Sequence, residues 1–307
     1  MKKLIYLPLF LLIAAACDDE ISADLEEIDP IVSIDAWINN SSRNIRVQRT
    51  QPYFQSTSLQ GVTNAQVELQ DDLGESFAFS HTGNGNYLMT IPQGVTFGEV
   101  GRTYFLTVTV DGVVFSSQST LNRVPTVDSV TFRFEEEDSF LPDSYFGEFW
   151  ARDFDGEGDT YWIRAWKNGQ YLNKPSEINI AYDAAFSAGG SADGLIFIQP
   201  IRDGVNPFEE AEDDADRPFL SPYNVGDSLY VEIESISQEA HFFLTQVIDE
   251  TDRPGGFGEL FATPLSNVST NLVASDPNVE VVGFFNVGAV SSGGNTLDSD
   301  DEARRDE

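Results

Sequence analysis

Residues 64–91 read NAQVELQDDLGESFAFSHTGNGNYLMTI, and residues 101–116 read GRTYFLTVTVDGVVFS. In the first stretch Val67 and Leu69 alternate with Gln66, Glu68 and Gln70, the period of two that marks a half-buried strand. Asp71–Gly74 breaks the run, Phe77–Phe79 returns, Gly83–Asn86 turns and Tyr87–Ile91 leads out again. In the second stretch Tyr104–Val110 ends at Asp111-Gly112, a two-residue hairpin signal, and Val113–Ser116 comes after it. Upstream, Ile31–Ile38 closes at Asn39-Asn40, and Ile45–Arg49 alternates cleanly. About seven short strands with frequent turns over residues 30–124 predict an immunoglobulin-like β-sandwich.

The same stretch carries a resemblance. A small residue, an alternating strand, Asp-x-x-Gly, then Gly-x-Tyr and Gly-x-x-Tyr is similar to bacterial immunoglobulin-like and carboxypeptidase-regulatory-like modules. That implies a fold and no activity.

Downstream, residues 120–127 (TLNRVPTV) read as a join broken by Pro125. A second β-rich domain over 125–290 is expected, with strands at Val127–Phe134 and near 145–152, 160–166, 177–182, 195–201, 228–236 and 279–285. Between the last two, Ser237–Ala240 opens one amphipathic helix. Phe242, Phe243, Leu244, Val247 and Ile248 share a face of it, and Pro254-Gly255-Gly256 stops it. Loops are expected at 183–194, as a flexible segment, and at 203–227. The tail 291–307 (SSGGNTLDSDDEARRDE) has the composition of a disordered acidic end. The fold class is mainly β.

The chain has 17 basic against 51 acidic residues, a net charge of −34. Beyond the first residues its only lysines are Lys167 and Lys174. Nucleic-acid binding needs clustered Lys and Arg and is excluded as a class. Adsorption to anionic headgroups is disfavoured for the same reason. Such acidity marks either a surface that binds cations or a basic partner, or one that stays hydrated and soluble in salt; the spread of the acids over the whole chain favours the second.

The start, MKKLIYLPLFLLIAAACDDE, has a basic end, a short apolar run, small residues Ala14–Ala16, and Cys17, the only cysteine. These are the parts of a secretory signal peptide over residues 1–16. The apolar run is shorter than the roughly 20 residues a membrane span needs. Cleavage before Cys17 resembles the lipobox of bacterial lipoproteins, in which the cysteine is acylated and holds the protein to the bilayer. Residues 17–29 then form an acidic tether. Asp18-Asp19-Glu20 resembles the export signal of surface lipoproteins of the Bacteroidota. With Cys17 spent on lipid, neither a disulfide nor a nucleophilic thiol is available.

Taken as a succession, the lipobox, "VSIDAWI", the immunoglobulin-like module, "VPTVDSV", the Tyr-Trp-Ile-Arg strand, "SLYVEIESIS" before an aromatic helix, and "PLSNVSTNL…VVGFF" resemble the Bacteroidota lipoproteins grouped as domain of unknown function 4249. That family has no established biochemical activity, and its genes often adjoin those of TonB-dependent outer-membrane receptors. The resemblance implies an outer-membrane lipoprotein facing the cell exterior, acting as a binding or accessory subunit of an uptake receptor. The competing readings are a stand-alone binder of glycan, peptide or metal, and a structural subunit of an envelope complex.

Two constellations are candidate sites. Asp153, Asp155, Glu157 and Asp159 alternate with glycines in DFDGEGD, a pattern able to wrap a hard cation such as Ca2+. It starts like an EF-hand loop, but Arg164 stands where the bidentate Glu belongs. A plain turn between strands explains the same residues. Trp150, Trp162 and Trp166 flank that turn as candidates for stacking on a ligand or partner, with Tyr161 on the opposite face of the strand from Trp162 and Trp166. Core packing is the competing explanation. Glu209–Asp216 holds six acids in eight residues and reads as a solvated loop. His81 and His241 lack partners at metal-ligand spacing, and no G-x-S-x-G is present. No enzymatic activity is expected.

Overall fold

The alternating segments do form strands. In order they are β1 (Val32–Asn39), β2 (Asn44–Arg49), β3 (Gln60–Gly61), β4 (Gln66–Asp71), β5 (Ser76–Gly83), β6 (Asn86–Thr90), β7 (Thr103–Val110) and β8 (Val113–Thr120). Next come β9 (Val127–Glu135), β10 (Ser144–Ala151), β11 (Thr160–Lys167), β12 (Gln170–Tyr171), β13 (Asn179–Tyr182) and β14 (Ser228–Ile236). The last are β15 (Val273–Ala274), β16 (Val281–Gly288) and β17 (Val290–Thr296), and the helices are α1 (Gln199–Asp203), α2 (Gln238–Thr251) and α3 (Asp300–Ala303). The structure is a computed structural model that describes residues 29–52, 55, 57–188, 192–209 and 219–304. The signal peptide, Cys17, all of the tether but Asp29, and the acids of 210–216 lie outside the described residues.

Strand pairing joins the segments expected for a sandwich into one ten-stranded sheet, ordered β15-β8-β7-β4-β5-β6-β2-β1-β16 with β3 beside β2. The sheet nearly closes on itself: Ser119 on β8 accepts a buried hydrogen bond from Val287 N on β16 at 3.0 Å. Its interior is apolar, with Ile34, Ile38, Val47, Leu69, Phe77, Tyr104, Val108, Phe115 and Phe285 all buried. Asn271 acts as a stand-in strand on the free edge of β16. Its amide donates to Phe285 O at 2.8 Å and accepts from Phe285 N at 3.0 Å.

The chain crosses back on itself. β15 and β16 come from the C-terminal region read as part of the second domain, yet they belong to the first sheet. β1 and β16 pair in parallel over eight positions, Val32↔Val281 to Asn39↔Gly288. Gly283, at φ +105°, makes this approach possible, because a Cβ there would collide with Ile34 O.

The rest comprises the β9–β10 pair and a five-stranded sheet, β12-β11-β14-β17 with β13 beside β11. Their shared core holds Phe132, Phe149, Tyr161, Phe197, Tyr223 and Val231. Two expectations need correction here. The strand expected at 195–201 is absent, and α1 begins at Gln199 with a proline in its first turn. The tail expected to be disordered carries β17 and α3. Its glycines serve close packing: a Cβ on Gly293 would press on Val127 at 2.9 Å. α3 is fixed by Tyr145, whose hydroxyl donates to Asp300 at 2.7 Å, and by Arg304 over the Phe134 ring at 3.5 Å.

α2 has the expected start, with Ser237 Oγ accepting from Ala240 N at 3.0 Å. Its buried face holds Ala240 and Leu244. Phe242 points outward instead, 58% exposed, because adjacent helical residues lie about 100° apart. A third cluster forms under the helix from Ile180, Ile236, Leu244 and Phe284, with Trp37, Trp162 and Phe243 against it. No helix among the described residues is long and apolar enough to cross a membrane.

Candidate functional site: an aromatic cleft and an acidic turn along helix α2

Alternation on β11 sends Tyr161, Ile163 and Ala165 inward and leaves Trp162, Arg164 and Trp166 half-buried on the other face. Trp162 meets Trp37 of β1 edge to face at 4.9 Å. Phe284 stacks on Trp37 at 5.8 Å, and Phe243 of α2 stacks on Phe284 at 4.7 Å. These rings line a cleft of about 430 Å³ together with Tyr171, Leu244, Val247, Ser33, Asp35 and Gln48. Its volume and mixed lining suit a small ligand. On the other flank of α2 lies a more open groove of about 660 Å³. It is lined by Gln118, Gln238, Glu239, Phe242, Asn271 and Phe284.

The three tryptophans singled out from sequence do not converge. Trp150 lies on the β9–β10 pair, donates to Thr131 Oγ1 at 2.9 Å and is covered by Arg202 at 4.0 Å. Trp166 packs on Tyr171 and Tyr230. Only Trp162 lines the cleft. Its partners Trp37, Phe243 and Phe284 come from distant parts of the chain, and only the aromatic content of β1, α2 and β16 could have pointed to them.

Beneath the cleft a buried carboxylate ties the two sheets together. Glu234 Oε2 accepts from Asn39 Nδ2 at 3.0 Å and from Arg164. Burial pushes the Glu234 carboxyl up, against the opposing pull of Arg164 and Asn39.

The acidic turn lies at the start of α2, where Gln238 Nε2 donates to Gly158 O at 3.0 Å. The four acids of the sequence pattern do not form one cage. Asp155 and Glu157 are exposed, and Asp159 is held by Arg123 Nη2 at 2.5 Å. Asp153 is buried, and it meets Asp183 and Asp193, with one oxygen of each within 4.8 Å of the others. Asp153 Oδ1 accepts from the Tyr161 hydroxyl at 2.6 Å, and its Oδ2 from Gly194 N at 3.4 Å. Asp183 Oδ1 accepts from the amides of Gly158 and Asp159. Asp193 Oδ1 is buried and has no hydrogen-bond partner among the described residues. Gly194 allows this packing, for at φ +69° a Cβ would strike the Asp155 carboxylate.

Desolvation raises the Asp153 carboxyl above its ordinary value, against hydrogen bonds from Tyr161, Gly194 and Phe154. Burial, then Asp153 itself, drives the Tyr161 hydroxyl far above the usual tyrosine range, so it remains a donor. Three carboxylates this close offer the oxygen donor set that a hard cation such as Ca2+ takes. Asp183 and Asp193 are 30 and 40 residues from Asp153 in a loop, so no local spacing announces them. His241 has its Nε2 buried without a hydrogen-bond partner among the described residues, and burial lowers its pKa.

A family model described as a domain of unknown function (DUF4249) matches residues 18–293. The chain belongs to this family. The match spans the nearly closed sheet, the aromatic cleft and the acidic turn. No curated protein matches the chain.

Proposed function

We propose that this DUF4249 chain is a lipid-anchored lipoprotein of the outer membrane, exposed on the cell exterior, that binds a ligand as an accessory subunit of a TonB-dependent uptake receptor. The observation that carries the binding role is the cleft built by Trp37, Trp162, Phe243 and Phe284. Aromatic faces beside the polar Ser33, Asp35 and Gln48 suit a sugar ring or an apolar side chain with polar edges. The chain is read as a binder and not an enzyme. The lipobox-like start supports the anchor.

The test is affinity capture of the anchor-intact chain from solubilised membranes, with the captured proteins identified by mass spectrometry. A barrel receptor that co-purifies with wild type, and is retained less when Trp162→Ala weakens the cleft, is the expected outcome. If no barrel protein rises above background, the receptor role fails.

A second reading rests on Asp193 Oδ1, buried without a hydrogen-bond partner among the described residues, beside Asp153 and Asp183. Ca2+ between these carboxylates would staple β10 to the 183–194 loop. A free Ca2+ concentration 100 times the Kd adds about 2.7 kcal/mol to stability. Ca2+ is expected to raise the unfolding midpoint of wild type and not that of Asp193→Asn; equal responses would remove the metal.

A further inference from the structure

Residues 254–265, PGGFGELFATPL, leave the C-terminal end of α2. Phe257, Leu260, Phe261 and Leu265 are 77, 74, 80 and 63% exposed. The rings of Phe257 and Phe261 meet edge to face at 5.6 Å, which gathers the segment into one apolar knob. Its one charged residue, Glu259, is paired with Arg253, whose Nε donates to Glu259 Oε1 at 2.6 Å and whose Nη1 also reaches Glu250 at 3.9 Å. On a chain of net charge −34, a knob of large apolar side chains with a single, paired charge marks a contact surface.

The position of the knob says what covers it. At the start of α2, Ser237 N donates to Asn286, which pairs with Trp37. Further along, Phe243 stacks on Phe284, which pairs with Asp35. Further still, Gln246 accepts from Ser269, and the adjacent Thr270 donates to Gly283 O, opposite Ile34. Each step along α2 therefore moves toward the beginning of β1, and the knob projects beyond it. That is the end at which the chain enters the fold from Asp29. Cys17 lies twelve residues before Asp29, a stretch of at most ~40 Å when extended.

We propose that the knob 254–265 seats in the interfacial layer of the same bilayer that holds acylated Cys17. It forms a second contact that orients the protein with the acidic start of α2 away from the lipid. The inference rests on the anchor proposed above. Phe and Leu on a loop whose one charge is paired suit the headgroup–acyl boundary, and the short tether keeps the knob within reach of it.

The test uses the full-length chain carrying Phe261→Cys, purified from membranes, nitroxide-labelled and reconstituted in vesicles of phosphatidylethanolamine and phosphatidylcholine. Acylated Cys17 is blocked, so one label per chain is expected. Probe accessibility to O2 relative to a water-soluble nickel chelate reports immersion. The control is Leu73→Cys, in the turn after β4. Four antiparallel pairings make β4 run in the direction of β1, which places Leu73 at the far end. A ratio several-fold higher at 261 than at 73 is expected, and Leu260→Cys should repeat it if the first variant folds poorly. Equal ratios with one label per chain would overturn the knob and leave the anchor standing. Two labels per chain would show Cys17 free and remove both. Shielding of position 261 in native membranes but not in pure lipid would assign the knob to a protein and overturn the lipid contact.

Discussion

The two ends of helix α2 differ in almost every physical respect. At its start lie the buried carboxylates of Asp153 and Asp183, held by a tyrosine hydroxyl and backbone amides, with the half-buried Asp193 beside them. At its end lie Phe257, Leu260, Phe261 and Leu265, apolar and exposed. One end turns charge inward and the other turns apolar surface outward, the reverse of what solvation favours at each place. Inverted placements of this kind are what ligands, ions and membranes offset, and the aromatic cleft lies on the helix between them. The contrast teaches that α2 is the axis along which the acidic turn, the aromatic cleft and the apolar knob are arranged, with the nearly closed sheet beside it.

The strongest way to break the contrast is to detach the helix. Leu244 is 4% exposed beneath it, and Leu244→Ala should cost about 2–5 kcal/mol in denaturant unfolding, loosening both ends together. Ser237→Ala removes only the cap and should cost about 1 kcal/mol. Hydrogen exchange should then quicken at 238–241 and stay unchanged at 254–265.

Acid separates the ends by sign. The Asp153 carboxyl is raised from 3.8, so in the window from its raised value down to 3.8 the native state holds a proton the unfolded chain gives up. Its contribution to stability therefore grows as pH falls through that window. Glu250, near the other end, is held below 4.5 by the Ser266 hydroxyl and backbone amide. Its contribution is full above 4.5 and is lost as pH falls through its lowered value. Side-chain carboxyl titration by NMR should show the two displaced in opposite directions; a shared direction would remove the distinction. The smallest expected effect is on the knob itself. Phe261→Ser should change stability by less than about 0.5 kcal/mol while reducing vesicle contact.

Much of the first sheet was legible because its strands alternate and its turns are local. Val67 and Leu69 on β4 and the Asp111-Gly112 hairpin need no distant partner to be read. The pairing of β1 with β16 was not legible, since parallel strands far apart in sequence leave no turn signal between them. β17 was hidden for another reason. Ser-Ser-Gly-Gly composes a flexible tail by residue type, and only contact with Val127 shows why glycine is required at 293. At the site, alternation placed Trp162 correctly opposite Tyr161, but its partners Trp37, Phe243 and Phe284 are supplied by three other elements. Asp153 was found by its acidic turn, while Asp183 and Asp193 reach it only through folding of the 183–194 loop. The knob at 254–265 was not legible either, because Pro-Gly-Gly reads as a helix stop and the residues beyond it carry no period.

The opposed roles of the two ends can be tested in living cells by a photo-crosslinking phenylalanine analogue placed in turn at Phe261 and at Phe242, the exposed ring beside the groove on the other flank of α2. The account predicts lipid adducts from position 261 and protein or ligand adducts from position 242. Protein adducts from 261, or the same products from both positions, would contradict it.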